Sequence, residues 1–122
     1  MSKSFFDNSN AIPRRDNMEI KSDEELGINY IEEIKDGVRF STHPHKAIPI
    51  ATHIARSASG KSKLLYKTLK GNYFTLDYHG NYTNVSFTPI PKPRAKELWK
   101  ELTEHVVTYL IAFDEEEQVE DY

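Results

Sequence analysis

The chain has 122 residues and no cysteine, and 16 Lys/Arg stand against 19 Asp/Glu. That length predicts one modest core rather than a two-lobed enzyme. The lack of cysteine excludes disulfides and thiolate metal sites, and no apolar run nears the roughly 18 residues of a membrane helix.

Taken in chain order, Met1 to about Met18 is rich in Ser, Asn and Asp and has little apolar periodicity. Residues 1–21 are therefore expected to be a flexible N-terminal segment. They lack the apolar stretch of a secretory signal, which fits a cytoplasmic protein. Ser22-Asp-Glu-Glu25 matches a capping box, and Leu26, Tyr30, Ile31 and Ile34 follow at helical spacing. The spacing favours a helix from Asp23 to about Lys35, although Asp36-Gly37 would equally turn a hairpin. Val38–Ser41 reads as a short strand and Thr42–Lys46 as a loop around Pro44. Ile50, Ala51, Ile54 and Ala55 share one helical face, so a short helix is expected from about Ile48 to Ser57.

The clearest segment runs from Lys63 to Thr88. Leu64–Thr68, Tyr73–Tyr78 and Tyr82–Thr88 are short apolar or alternating runs separated by Leu69–Asn72 and His79–Asn81, which predicts a three-stranded antiparallel meander. Alternation sets Phe74, Leu76, Tyr78, Val85 and Phe87 on one side and Tyr73, Thr75, Tyr82 and Asn84 on the other. Pro93 suits a first helical turn, and Ala95, Leu98, Trp99, Leu102, Val106, Tyr109, Leu110 and Phe113 keep the 3.6-residue period. The expectation is an α+β fold in which a long C-terminal amphipathic helix packs on the Phe74 side of the meander. The β-branched Val106-Val107-Thr108 leaves room for a break near Thr103–His105. Residues 22–113 then form a single domain, and 114–122 an acidic tail.

Charge is segregated along this order. Residues 46–100 hold ten basic and two acidic side chains, a balance of +8, and the rest of the chain has a balance of −11. Such a division marks either a surface for a charged partner or opposite charges that compensate within the fold.

Local chemical signatures are sparse. Ala55–Ser62 fits a loose phosphate-loop spacing, but a strand rather than a helix is expected after it, so the match is set aside. His43, His45 and His53 form H-x-H-x7-H with no completing ligand, and no metal or other cofactor is assigned. No nucleophile–base arrangement is present, and no catalytic residue is named; an enzyme using one of these histidines is the third-ranked reading. The candidate interaction surface is the sheet side opposite the expected helix, with Tyr73, Thr75, Tyr82 and Asn84 flanked by Lys67 and Lys70. Exposed rings and lysines there would suit nucleic-acid bases and phosphates. A candidate acidic partner surface comprises Glu24, Glu25, Glu32, Glu33, Glu115, Glu116 and Glu117, which would suit a basic groove on another protein.

Leu65-Tyr-Lys-Thr-Leu-Lys-Gly-Asn-Tyr-Phe74, then Thr88-Pro-Ile-Pro and Ala95-Lys-Glu-Leu-Trp99, resembles a loose class of small bacterial proteins carried on plasmids, phages and other mobile elements. The resemblance spans roughly 54–113 and brings no catalytic residue. It implies a prokaryotic accessory or regulatory protein. The leading expectation is thus a non-catalytic protein that binds another protein, such as a host enzyme it regulates or inhibits. Nucleic-acid binding is second. Self-association through edge strands or the outer tyrosines is left open.

Overall fold

A computed structural model of the chain describes residues 18–57, 59–80 and 83–118, with the side chains of residues 83 and 84 outside that description. The fold is α+β, with a three-stranded antiparallel meander and short helices. The chain divides into two compact units, Met1–Ser41 and Thr42–Tyr122. The boundary falls inside the expected 22–113 domain, and most of the expected N-terminal segment lies outside the described residues.

The first unit is the meander β1 (Met18–Asp23), β2 (Ile28–Lys35) and β3 (Val38–Ser41), in that order across the sheet. The helix expected over Asp23–Lys35 is therefore a turn and a strand. Ser22 does not cap a helix; its hydroxyl donates across the β1–β2 pair to Asn29 Oδ1, 2.9 Å away. Asp23 holds the turn instead, accepting from Leu26 N at 3.1 Å. Asp36 and Gly37, at φ 53° and 76°, form the next turn. Two consecutive positive φ angles match the right-handed strand twist, which is why Asp-Gly closes hairpins. Ile31 and Phe40 are buried on one face; Glu32 and Ser41 are buried on the other.

The second unit is built on β4 (Ala47–His53), β5 (Lys61–Thr68), β6 (Tyr73–His79), β7 (Thr83–Ile90) and β8 (Glu104–His105). Its sheet order is β7-β6-β5-β4-β8, and every adjacent pair is antiparallel. The expected meander is β5–β6–β7. The helix expected from Ile48 is instead the strand β4. A register shift between Pro49 and Ala51 marks a bulge, and both Ile50 and Ala51 are fully buried. Two adjacent inward residues imitate a helical face, and the bulge produces that pattern in a strand.

The long C-terminal helix is also corrected. It is two short helices, α1 (Lys92–Glu101) and α2 (Tyr109–Phe113), with β8 between them. Pro93 lies in the first turn of α1, as its missing N–H allows. Ala51 and Thr52 of β4 pair with His105 and Glu104, which pulls this stretch out of helix. His105 also stacks on Trp99, with ring centroids 3.8 Å apart.

The helices lie on the Tyr73 side of the sheet, opposite to the expectation. Leu65 and Tyr73 share a core cluster with Ala95, Leu98, Trp99 and Phe113. The Phe74 side is buried as well, with Tyr66 stacked on Phe74 at 5.0 Å and Phe87 at 5.6 Å from Phe74. No helix among the described residues is long and apolar enough to cross a membrane.

Candidate interaction surface

The second short helix is held from both ends and from beneath. Thr108 is its N-cap, and its hydroxyl accepts from Ile111 N at 3.3 Å. The helix ends at Asp114, whose φ of 58° turns the chain away and whose N–H donates to Leu110 O at 2.7 Å. Ala112 and Phe113 are fully buried below it, and the Phe113 ring packs against Tyr73, Trp99 and Tyr109.

Two side chains from the sheet satisfy its last carbonyls. Tyr73 OH donates to Ala112 O at 2.8 Å, and Lys67 Nζ donates to Ile111 O at 3.0 Å. The same ammonium pairs with Asp114 Oδ2 at 2.9 Å. A cation at a helix C-terminus meets the negative end of the helix dipole as well as the free carbonyl oxygens. Burial, then the charges of Asp114 and Glu115, pushes the Tyr73 phenol above its ordinary value, so it stays a hydrogen-bond donor.

This base leaves Leu110 and Ile111 facing out, 54% and 53% exposed. Leu110 departs from the buried stripe read in the sequence. The Thr108 cap restarts the helix, and with it the phase of the apolar face. Acidic side chains follow the two in the sequence. Glu115 is bound by Lys96 and, at 3.3 Å, by Lys92 of α1; hydrogen bonding from Lys96 leads in holding its carboxyl below the ordinary range. Glu116 and Glu117 follow, exposed.

Two residues of the expected tyrosine-bearing surface are covered. Tyr73 and Thr75 are 5% and 4% exposed, beneath the helix side of the sheet. Lys67 is committed to α2, and Lys70 sits exposed in the β5–β6 turn. Tyr82 and the side chain of Asn84 lie outside the described residues. A ring as covered as Tyr73 cannot stack a base, so the feature that suggested nucleic-acid binding is withdrawn at Tyr73 and Thr75.

The expected acidic surface also divides. Glu24 and Glu25 are exposed in the β1–β2 turn, whereas Glu32 and Glu33 are each 7% exposed. Glu32 is the centre of an ion-pair network, 2.9 Å from Lys21 Nζ and 3.2 Å from Arg39 Nη1. Burial pushes its carboxyl up, but hydrogen bonds from Lys21, Ser41 and Arg39, together with the Lys21 charge, outweigh this and hold it below its ordinary value.

The three candidate histidines do not converge. His43 Nδ1 accepts from His45 N at 3.0 Å, with ring centroids 4.9 Å apart, whereas His53 lies against Thr103. Among the described residues no group of three or more His, Asp or Glu is arranged to hold a metal ion. No family model, curated protein or solved structure matches the chain.

Proposed function

We propose that this chain is a non-catalytic accessory protein that acts by binding another protein, with Leu110 and Ile111 as the anchor. One observation carries this reading: two large apolar side chains stand more than half exposed on a helix whose backbone is pinned by Tyr73 and Lys67. A surface already ordered loses little conformational entropy on binding. Apolar anchors ringed by polar groups are the usual source of interface energy. The exposed Glu116 and Glu117 that follow suit a partner groove with an apolar floor and a basic rim, as in an enzyme that handles an anionic substrate. Regulation or inhibition of such an enzyme is the role this surface fits.

The test is affinity capture at low salt with the wild-type chain and with Leu110→Asp/Ile111→Asp. The expected result is a stoichiometric protein retained by the wild type and lost from the variant, with affinity reduced by about thirtyfold or more once measured on the purified partner. Both side chains point outward, so circular dichroism of the variant should match the wild type. Equal retention by the two chains would overturn the reading.

A further inference from the structure

A second feature of the 42–122 unit lies apart from α2. A cleft of about 620 Å³ opens beside the C-terminal end of α1. Its volume is in the range that takes small organic ligands. Strand register builds one wall. His53 of β4 opposes Lys63 of β5, and Lys63 opposes Asp77 of β6; one row along, Lys61 opposes His79. Opposed residues, and residues two apart, share a face of a sheet. These five side chains therefore form two adjoining rows on the helix-bearing face. The helix α1 ends at Glu101, and Leu98 and Leu102 give the cleft an apolar wall.

The charged side chains of this cleft differ in how they are paired. Lys63 Nζ and Asp77 Oδ1 are 2.7 Å apart and neutralise one another. Glu101 is bound at 3.2 Å by Arg94, whose guanidinium it shares with Glu97 at 3.3 Å. Among the described residues Lys61 enters no ion pair, so its ammonium is the lining charge open to a ligand. His53 Nδ1 is 3.3 Å from Thr103 Oγ1, which leaves Nε2 as its second polar atom. The carbonyl end of a helix disfavours an anion, but two of its oxygens are occupied here. Leu98 O accepts from Leu102 N at 3.0 Å, and Trp99 O lies 2.8 Å from His105 Nε2.

We infer that this cleft is a binding site for a small organic anion, one phosphate or carboxylate group on a planar apolar body. Lys61, with His53 on the same sheet face, takes the anionic group, and Leu98 and Leu102 take the body. The site is independent of the α2 surface and shares no residue with it.

The test uses the full chain, isotope-labelled, titrated with 1-naphthyl phosphate, 1-naphthoate, 1-naphthol and inorganic phosphate and followed by amide shifts. Binding of at least one naphthyl anion, with shifts centred on Lys61, His79 and Thr103, is expected. Whichever anion binds more tightly identifies the headgroup. Naphthol and inorganic phosphate should each bind at least about tenfold more weakly, since each lacks half of the ligand. Lys61→Ala should weaken the tighter anion about tenfold, and Lys70→Ala, an equal loss of charge on the exposed β5–β6 turn, by less than about twofold. Both lysines are exposed, so neither change threatens folding. The inference is overturned if neither anion binds below about 10 mM, if naphthol or inorganic phosphate binds as tightly as the anions, or if the two lysine variants behave alike.

Discussion

Tyr73 lies on the face of the second sheet that takes the helices. Its ring joins the cluster of Leu65, Trp99 and Phe113, and its hydroxyl reaches Ala112 O at 2.8 Å. A buried tyrosine is tolerated where the O–H finds an acceptor, and the last turn of a helix offers one. Tyr73→Phe keeps the ring and removes the donor. It should cost about 1 kcal/mol, read as a lower urea midpoint with an unchanged slope. Lys67→Met leaves Ile111 O and Asp114 without their cation, and should speed amide exchange in α2 well before it affects β5 or β6. The two faces of β6 were legible in its alternation, because Tyr73, Thr75 and Asp77 must oppose Phe74, Leu76 and Tyr78. Which face meets the helices was not legible. Both faces are buried, and the contacts with the helices join residues far apart in the chain, 39 positions for Tyr73 and Ala112.

At the level of elements, the misread segments share a cause: each local pattern has two physical sources. Leu26, Tyr30, Ile31 and Ile34 fit a helical stripe, but isoleucine and tyrosine also favour strands, and pairing with β1 and β3 decides for strand. Ile50-Ala51 reads as a helical face and is a bulge. The α1–β8–α2 stretch keeps helical spacing through Val106, yet an edge pairing with β4 interrupts it. Turns were more legible, since the Asp36-Gly37 pair, Gly71 within Leu69–Asn72 and Gly80 within His79–Asn81 carry their conformational preference locally. Gly37 tests this. Its φ is 76°, and a Cβ built there meets nothing within 4 Å, so the cost of Gly37→Ala is conformational rather than steric. A loss of about 1 kcal/mol is expected in thermal unfolding, and Gly37→Asn, which tolerates this conformation, should recover part of it.

For the molecule as a whole, part of the charge segregation resolves into internal pairs among the described residues, and those pairs differ in how they respond to pH. In the 42–122 unit, basic residues of the strands and α1 meet the acidic segment through Lys67–Asp114, Lys92–Glu115 and Lys96–Glu115. These are surface contacts, weakened by salt and individually minor. In the 1–41 unit, Glu32 is buried and bound by Lys21 and Arg39. Its folded carboxyl titrates below the ordinary 4.5, so the folded state binds fewer protons than the unfolded state across that interval. The resulting stability is fully present above the unfolded value and is lost as pH falls through the folded one. Glu32→Gln should therefore cost about 1–2 kcal/mol at pH 7. The difference from wild type should narrow below pH 4.5 as Glu32 itself becomes protonated. Glu115→Gln, at an exposed site, should leave the stability curve nearly unchanged. Urea unfolding of all three chains from pH 7 to pH 2.5 separates these outcomes: a gap between wild type and Glu32→Gln that stays constant with pH would show that its network is held by shape and hydrogen bonding rather than by the charge on the carboxylate.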